Sequence, residues 1–95
     1  MNMSATDLEL LSRYARQRQE DAFAELVRRH LNLVHSAALR QVRAPELAEE
    51  VAQTVFSDLA RQAERIPSGT VLAAWLYQVT RRRAIRRRAP GSQSE

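Results

Sequence analysis

The sequence predicts an all-α fold, a compact bundle of three main helices preceded by a short N-terminal one. Three observations carry that expectation. The chain has 95 residues, of which 44% are hydrophobic, enough for one core and too few for two. Its prolines and glycines, Pro45, Pro67, Gly69, Pro90 and Gly91, stand far apart and leave helix-length stretches between them. Within those stretches apolar residues recur every three, four and seven positions, the helical period, with no clustered strand-length segments.

The elements follow in order. Thr6-Asp7-Leu8-Glu9 fits a capping box and opens the first short helix, with Leu8, Leu11 and Ala15 as its apolar edge and Glu9 and Arg13 as a pair four apart. Asp21 is the expected N-cap of a long second helix that runs to about Arg43, its stripe made of Phe23, Leu26, Val27, Val34, Ala37, Ala38 and Val42. Pro45 suits the first position of a third helix, and Glu46, Glu49 and Glu50 put negative charge at its positive end. Ala48, Val51, Ala52, Val55, Phe56, Leu59 and Ala63 form its buried stripe. Ile66-Pro67-Ser68-Gly69-Thr70 is a loop, and Ser68 or Thr70 can cap a last helix from about Val71 to Arg88. Residues 1–89 therefore read as one domain, and residues 90–95 as a tail or the start of a linker.

Composition removes several functions. With no cysteine, the chain has neither disulfides, thiolate zinc sites nor a cysteine nucleophile. His30 and His35, five apart, fall on different sides of a helix and make poor metal ligands. Glu49 and Glu50 point to different faces, and no glycine-rich phosphate loop exists. We expect no enzyme, no cofactor and no metal. No apolar run reaches the roughly 18–20 residues of a membrane span, and Met1 to Thr6 lacks a signal pattern. A cytoplasmic location without a membrane partner is expected.

Charge is placed unevenly. All 15 basic residues are arginine. Residues 1–80 hold nine arginines against ten acids, leaving −1, whereas residues 81–95 hold six against one, leaving +5. A single-sign block points to a local polyanion contact, and guanidinium suits bidentate phosphate binding. In the last helix Leu72, Trp75, Leu76 and Val79 share a face that continues as Arg82, Arg83, Arg86 and Arg87, with Arg81 and Arg88 opposite. A core cannot accept four guanidinium groups without partners, so the helix is expected to leave the globule near Thr80. Trp75 belongs to the core stripe, and Tyr77 beside Arg81 is the better stacking platform. On the third helix Glu46, Glu50, Gln53, Ser57 and Arg61 line the outward face. That face is either a solvated surface or an acidic docking strip; periodicity alone does not choose.

The run Ala48-Glu49-Glu50-Val51-Ala52-Gln53-Thr54-Val55-Phe56, followed by a loop and by Trp75-Leu76-Tyr77-Gln78-Val79-Thr80-Arg81-Arg82-Arg83-Ala84, resembles region 2 of bacterial RNA polymerase sigma factors of the extracytoplasmic-function group. Asp21-Ala22-Phe23-Ala24-Glu25-Leu26-Val27-Arg28-Arg29-His30 is similar to that group's opening, so the likeness spans about Asp7 to Arg88. The resemblance implies a module that binds core polymerase and recognises and melts the promoter −10 element. It implies docking on a coiled coil of the polymerase's largest subunit through the Glu50 and Gln53 positions, with Glu46 and Ser57 on the same face and Phe56 as the matching core aromatic. A flipped base of the −10 non-template strand would fall to the loop Arg65, Ile66, Ser68, Gly69 and Thr70. The basic helix, through Tyr77, Gln78, Arg81, Arg82, Arg83, Arg86 and Arg87, would hold the strand and the upstream duplex edge. An anti-sigma factor is a further partner class that the resemblance admits.

Departures from the family's pattern modify these expectations. Thr54 stands where a carboxylate is frequent and weakens docking, while Arg82 in place of asparagine and Arg86 in place of an acid make strand contact more electrostatic and less selective. The family also carries a second helical domain that reads the −35 element, and Pro90 to Glu95 reads as the approach to it or as a tail. Two other functions fit the composition: a stand-alone arginine-rich module that binds nucleic acid nonspecifically, and a competitor that occupies the polymerase site without starting transcription.

Overall fold

The computed structural model describes residues 5–88, and the expected tail at residues 90–95 lies outside them. Four helices follow one another: α1 (Asp7–Gln17), α2 (Glu20–Val42), α3 (Pro45–Gln62) and α4 (Leu72–Arg88), with one 3₁₀ turn, Ala63–Arg65, after α3. Among the described residues there is no strand. The longest helix, α2, packs against each of the other three. It carries Leu26, Val34, Ala37 and Ala38 into the core, and the two alanines let neighbouring helices approach closely.

Local sequence explains most of the boundaries. Thr6 Oγ1 accepts from the Glu9 amide at 3.1 Å, and the Thr6 amide donates to Glu9 Oε1 at 2.9 Å, closing the expected capping box. Glu9 is thus occupied by the cap rather than by Arg13. The buried edge of α1 is Leu10, Leu11 and Tyr14, with Leu8 and Ala15 half-buried. Tyr14 packs on Phe23 of α2 with ring centroids 4.7 Å apart, so the edge is turned toward α2. Pro45 occupies the first turn of α3, as expected.

Two expectations are corrected. The N-cap of α2 is Gln19 and not Asp21, which lies inside the first turn, where its charge favours the positive helix end. More consequentially, α4 does not leave the globule near Thr80. Thr80 and Ala84 are fully buried, and the Thr80 hydroxyl donates to the Leu76 carbonyl at 2.6 Å. The physical reason is that two of the four core-side arginines have acidic partners on α3: Arg83 meets Asp58 and Arg87 meets Glu50. These pairs satisfy the guanidinium groups and keep α4 on the bundle.

Candidate polymerase and nucleic-acid interfaces

Asp58 is the centre of the α3–α4 contact. Its side chain is 2% exposed, yet it lies on the flank of the apolar stripe, three residues after Val55 and seven after Val51. Arg83 forks onto it, Nε donating to Oδ2 at 2.8 Å and Nη2 to Oδ1 at 2.9 Å, and Arg61 reaches Oδ1 as well. This bidentate geometry is the strongest form of the ion pair. The hydrogen bond to Asp58 holds Arg83 above the ordinary arginine pKa, opposed by burial and reinforced by the charge of the carboxylate. Among the described residues no buried side-chain nitrogen or oxygen lacks a partner.

The second rung of this ladder is exposed. Arg87 donates from Nε and Nη2 to Glu50 Oε1 at 3.2 and 3.0 Å, and the two side chains are 47% and 59% exposed respectively. Glu50 and Asp58 are eight residues apart on α3, Arg87 and Arg83 four apart on α4, so the rungs run antiparallel. By contrast Arg81, Arg82 and Arg86 are exposed and form no ion pair among the described residues. The basic helix is therefore divided into clasped and open arginines.

Other expected site residues fall as follows. Glu46, Gln53 and Ser57 are exposed along α3. Gln53, Ser57 and Glu49 edge an open groove of about 780 Å³ between α2 and α3, whose apolar wall is Phe23, Val27, Leu31, Ala52 and Phe56. Phe23 and Val27, expected on the buried stripe, are half-buried: they pack against the core and also line this groove, where exposed Leu31 joins them. Arg65 ends the 3₁₀ turn and is exposed; the loop from there to α4 exposes Pro67, Ser68 and Gly69, with Ile66 and Thr70 half-buried and Ile66 packed on the core. The Thr70 amide and hydroxyl both donate to the Pro67 carbonyl, at 3.2 and 2.6 Å. Gly69 sits at φ +92°, the left-handed position that a type II turn reserves for glycine. Tyr77 and Gln78 are exposed on α4, while Trp75 is half-buried against the core beside Arg82 and Arg86.

No group of three or more histidine and acidic side chains capable of holding a metal occurs among the described residues. His30 instead places Nε2 2.8 Å from Asp7 Oδ2, beside Arg29, whose Nη1 donates to Asp7 Oδ1 at 3.1 Å. Both contacts fasten α1 to α2. No helix among the described residues is long and apolar enough to cross a membrane.

These features define a class before a family: a helical domain with a polar edge of Glu49, Gln53 and Ser57 beside an apolar groove and, on another helix, arginines that are exposed and unpaired among the described residues. Residues 26–90 match the family described as sigma-70 region 2, which is most of the chain, and the chain belongs to that family. It is similar to two proteins of Mycobacterium sp., strains KMS and JLS, each named ECF RNA polymerase sigma factor SigK. Each is 35% identical over 83 residues, a match that covers 86% of this chain and 43% of the relative. A third, from strain MCS, is named RNA polymerase sigma factor SigK and matches to the same extent. The chain thus spans less than half the length of these relatives. No solved structure matches it significantly.

Proposed function

We propose that this domain is the core-binding and −10-melting module of an extracytoplasmic-function sigma factor, acting in the bacterial cytoplasm on promoter DNA held by RNA polymerase. One observation carries the reading: Glu49, Gln53 and Ser57 edge an apolar groove, with Glu46 and Glu50 also exposed on α3, while Arg81, Arg82 and Arg86 stand exposed on α4 without an acidic partner among the described residues. An acidic edge beside apolar wall suits a basic, amphipathic helical surface such as a coiled coil of the largest polymerase subunit. Open arginines suit phosphates.

The work of such a module is capture rather than chemistry. A base cannot be read by a pocket until it leaves the stack, and extrusion costs a few kcal/mol that strand contacts and the pocket must offset. Tyr77, Gln78, Arg81, Arg82 and Arg86 would hold the strand, and the turn at Arg65 to Thr70 would take the flipped base. Phosphodiester chemistry belongs to the polymerase. Binding of the chain to purified bacterial core polymerase, beside a Glu50→Ala/Gln53→Ala double variant, tests the docking half. We expect specific binding by the wild type and its loss in the variant at unchanged helical circular dichroism. Equal binding by both would rule out the α3 face. No polymerase binding together with salt-sensitive affinity for any single strand would favour the nonspecific module.

A further inference from the structure

The two proposed binding faces share one ion pair. Glu50 belongs to the docking strip of α3 and Arg87 to the basic block of α4, yet Arg87 gives both Nε and Nη2 to the same Glu50 oxygen. Arg87 occupies Oε1 and offsets the charge of the carboxylate, so a cation of a partner protein that approaches Glu50 competes with it. A guanidinium so engaged has committed its Nε–Nη2 side and has its charge offset by the carboxylate, which leaves only the Nη1 end to meet a phosphate. Resting on the function proposed above, we propose that the Glu50–Arg87 pair is a latch between the faces: engagement of Glu50 by polymerase releases Arg87 to a DNA phosphate, and strand binding by Arg87 releases Glu50.

Burial separates this rung from its neighbour. Asp58 is 2% exposed, and pulling Arg83 off it would strand a carboxylate away from water. Glu50 and Arg87 are 59% and 47% exposed, so each is rehydrated at once when the pair opens. The Asp58 rung therefore stays closed and fixes the path of α4, while the Glu50 rung one turn further on opens and closes at little cost. Because both ligands compete with the same contact, the one that binds first weakens it for the other. The result is positive, reciprocal coupling bounded by what an exposed pair can hold, about two- to fivefold in affinity.

The test uses the full chain and a fluorescent single-stranded oligonucleotide carrying a −10-type sequence, followed by anisotropy across a salt series. Glu50→Gln should bind the strand about two- to fivefold more tightly than wild type and steepen the salt slope by about 0.7, the contribution of one added phosphate contact. That gain should vanish in Glu50→Gln/Arg87→Gln measured against Arg87→Gln. Glu20→Gln, which removes an exposed acid at the start of α2, controls for net charge. The latch is overturned if Glu20→Gln gives the same gain, or if the gain survives without Arg87. In a second arm Arg87→Gln, its Glu50 already released, should bind core polymerase about two- to fivefold more tightly than wild type; weaker binding would make Arg87 a support for Glu50 and refute the latch. Failure of wild type to bind polymerase at all would sink the proposed function, whereas the oligonucleotide arm scores the latch independently.

Discussion

Asp7 and Asp58 invite comparison, since each is a short carboxylate that meets two basic side chains and ties one helix to another. Asp7, at the start of α1, meets Arg29 and His30 of α2 and keeps 28% of its side chain in water. Asp58, near the C-terminal end of α3, meets Arg61 and Arg83 and keeps 2%. The partners are alike in number and the distances are similar, so burial is what separates them. A hydrated carboxylate loses little when its partner leaves; a buried one is left with an uncompensated charge. The α1–α2 contact is accordingly an adjustable fastening, and the α3–α4 contact a fixed one on which the position of the basic helix depends.

Removing a partner from each carboxylate breaks the comparison most sharply. Arg83→Gln should cost about 3 kcal/mol, the low end for a broken buried pair because Arg61 remains on Asp58. Arg29→Gln should cost about 1 kcal/mol, because Asp7 is only partly buried and water can replace the lost partner. Urea denaturation of both variants measures this, and equal losses would mean that burial is not the deciding variable. Next in size, Thr6→Ala removes the cap that positions Asp7 and should cost about 1 kcal/mol, lowering the denaturation midpoint without changing the slope of the transition.

The pH dependence sharpens the same contrast. Asp58 raises the Arg83 pKa in the folded state, so the stabilisation from this proton is complete below the unfolded value and is lost only as pH rises through the folded one. Arginine titrates above about 12, so the stability gap between wild type and Arg83→Gln should stay constant from roughly pH 7 to 10. A gap that narrows over that range would contradict the pairing. The smallest expected effect concerns a helix end. Arg43 closes α2 at φ 61°, a left-handed conformation that suits glycine better, and Arg43→Gly should gain a few tenths of a kcal/mol to about 1 kcal/mol in thermal denaturation.

Helix number, the capping box at Thr6, Pro45 at the head of α3 and the exposure of Glu46, Glu50, Gln53 and Ser57 were all legible in the sequence, because each is set by local spacing. The path of α4 was not. Its arginines lie far along the chain from their acids, 25 residues for Arg83 and Asp58 and 37 for Arg87 and Glu50, so no local pattern reveals the pairing. One signal was available. Asp58 falls three residues after Val55 and seven after Val51, a place on the buried flank where an acid needs a cation. Set against the excess of arginine on the core side of α4, it pointed to a clasp rather than a departing helix. The groove wall was hidden for a different reason: periodicity places Phe23 and Val27 on an apolar face but cannot say how far a neighbouring helix covers it.

The division of the basic helix into clasped and open arginines is tested most directly by the salt dependence of single-strand binding in Arg82→Gln, Arg86→Gln and Arg83→Gln, each held below its own melting temperature. Arg82→Gln and Arg86→Gln should each lower the slope of log affinity against log salt by about 0.7 with little change in melting temperature, and Arg83→Gln should melt earlier while keeping the wild-type slope. An Arg83→Gln variant that melts with the wild type and loses the same 0.7 would place Arg83 on the DNA backbone and contradict the division.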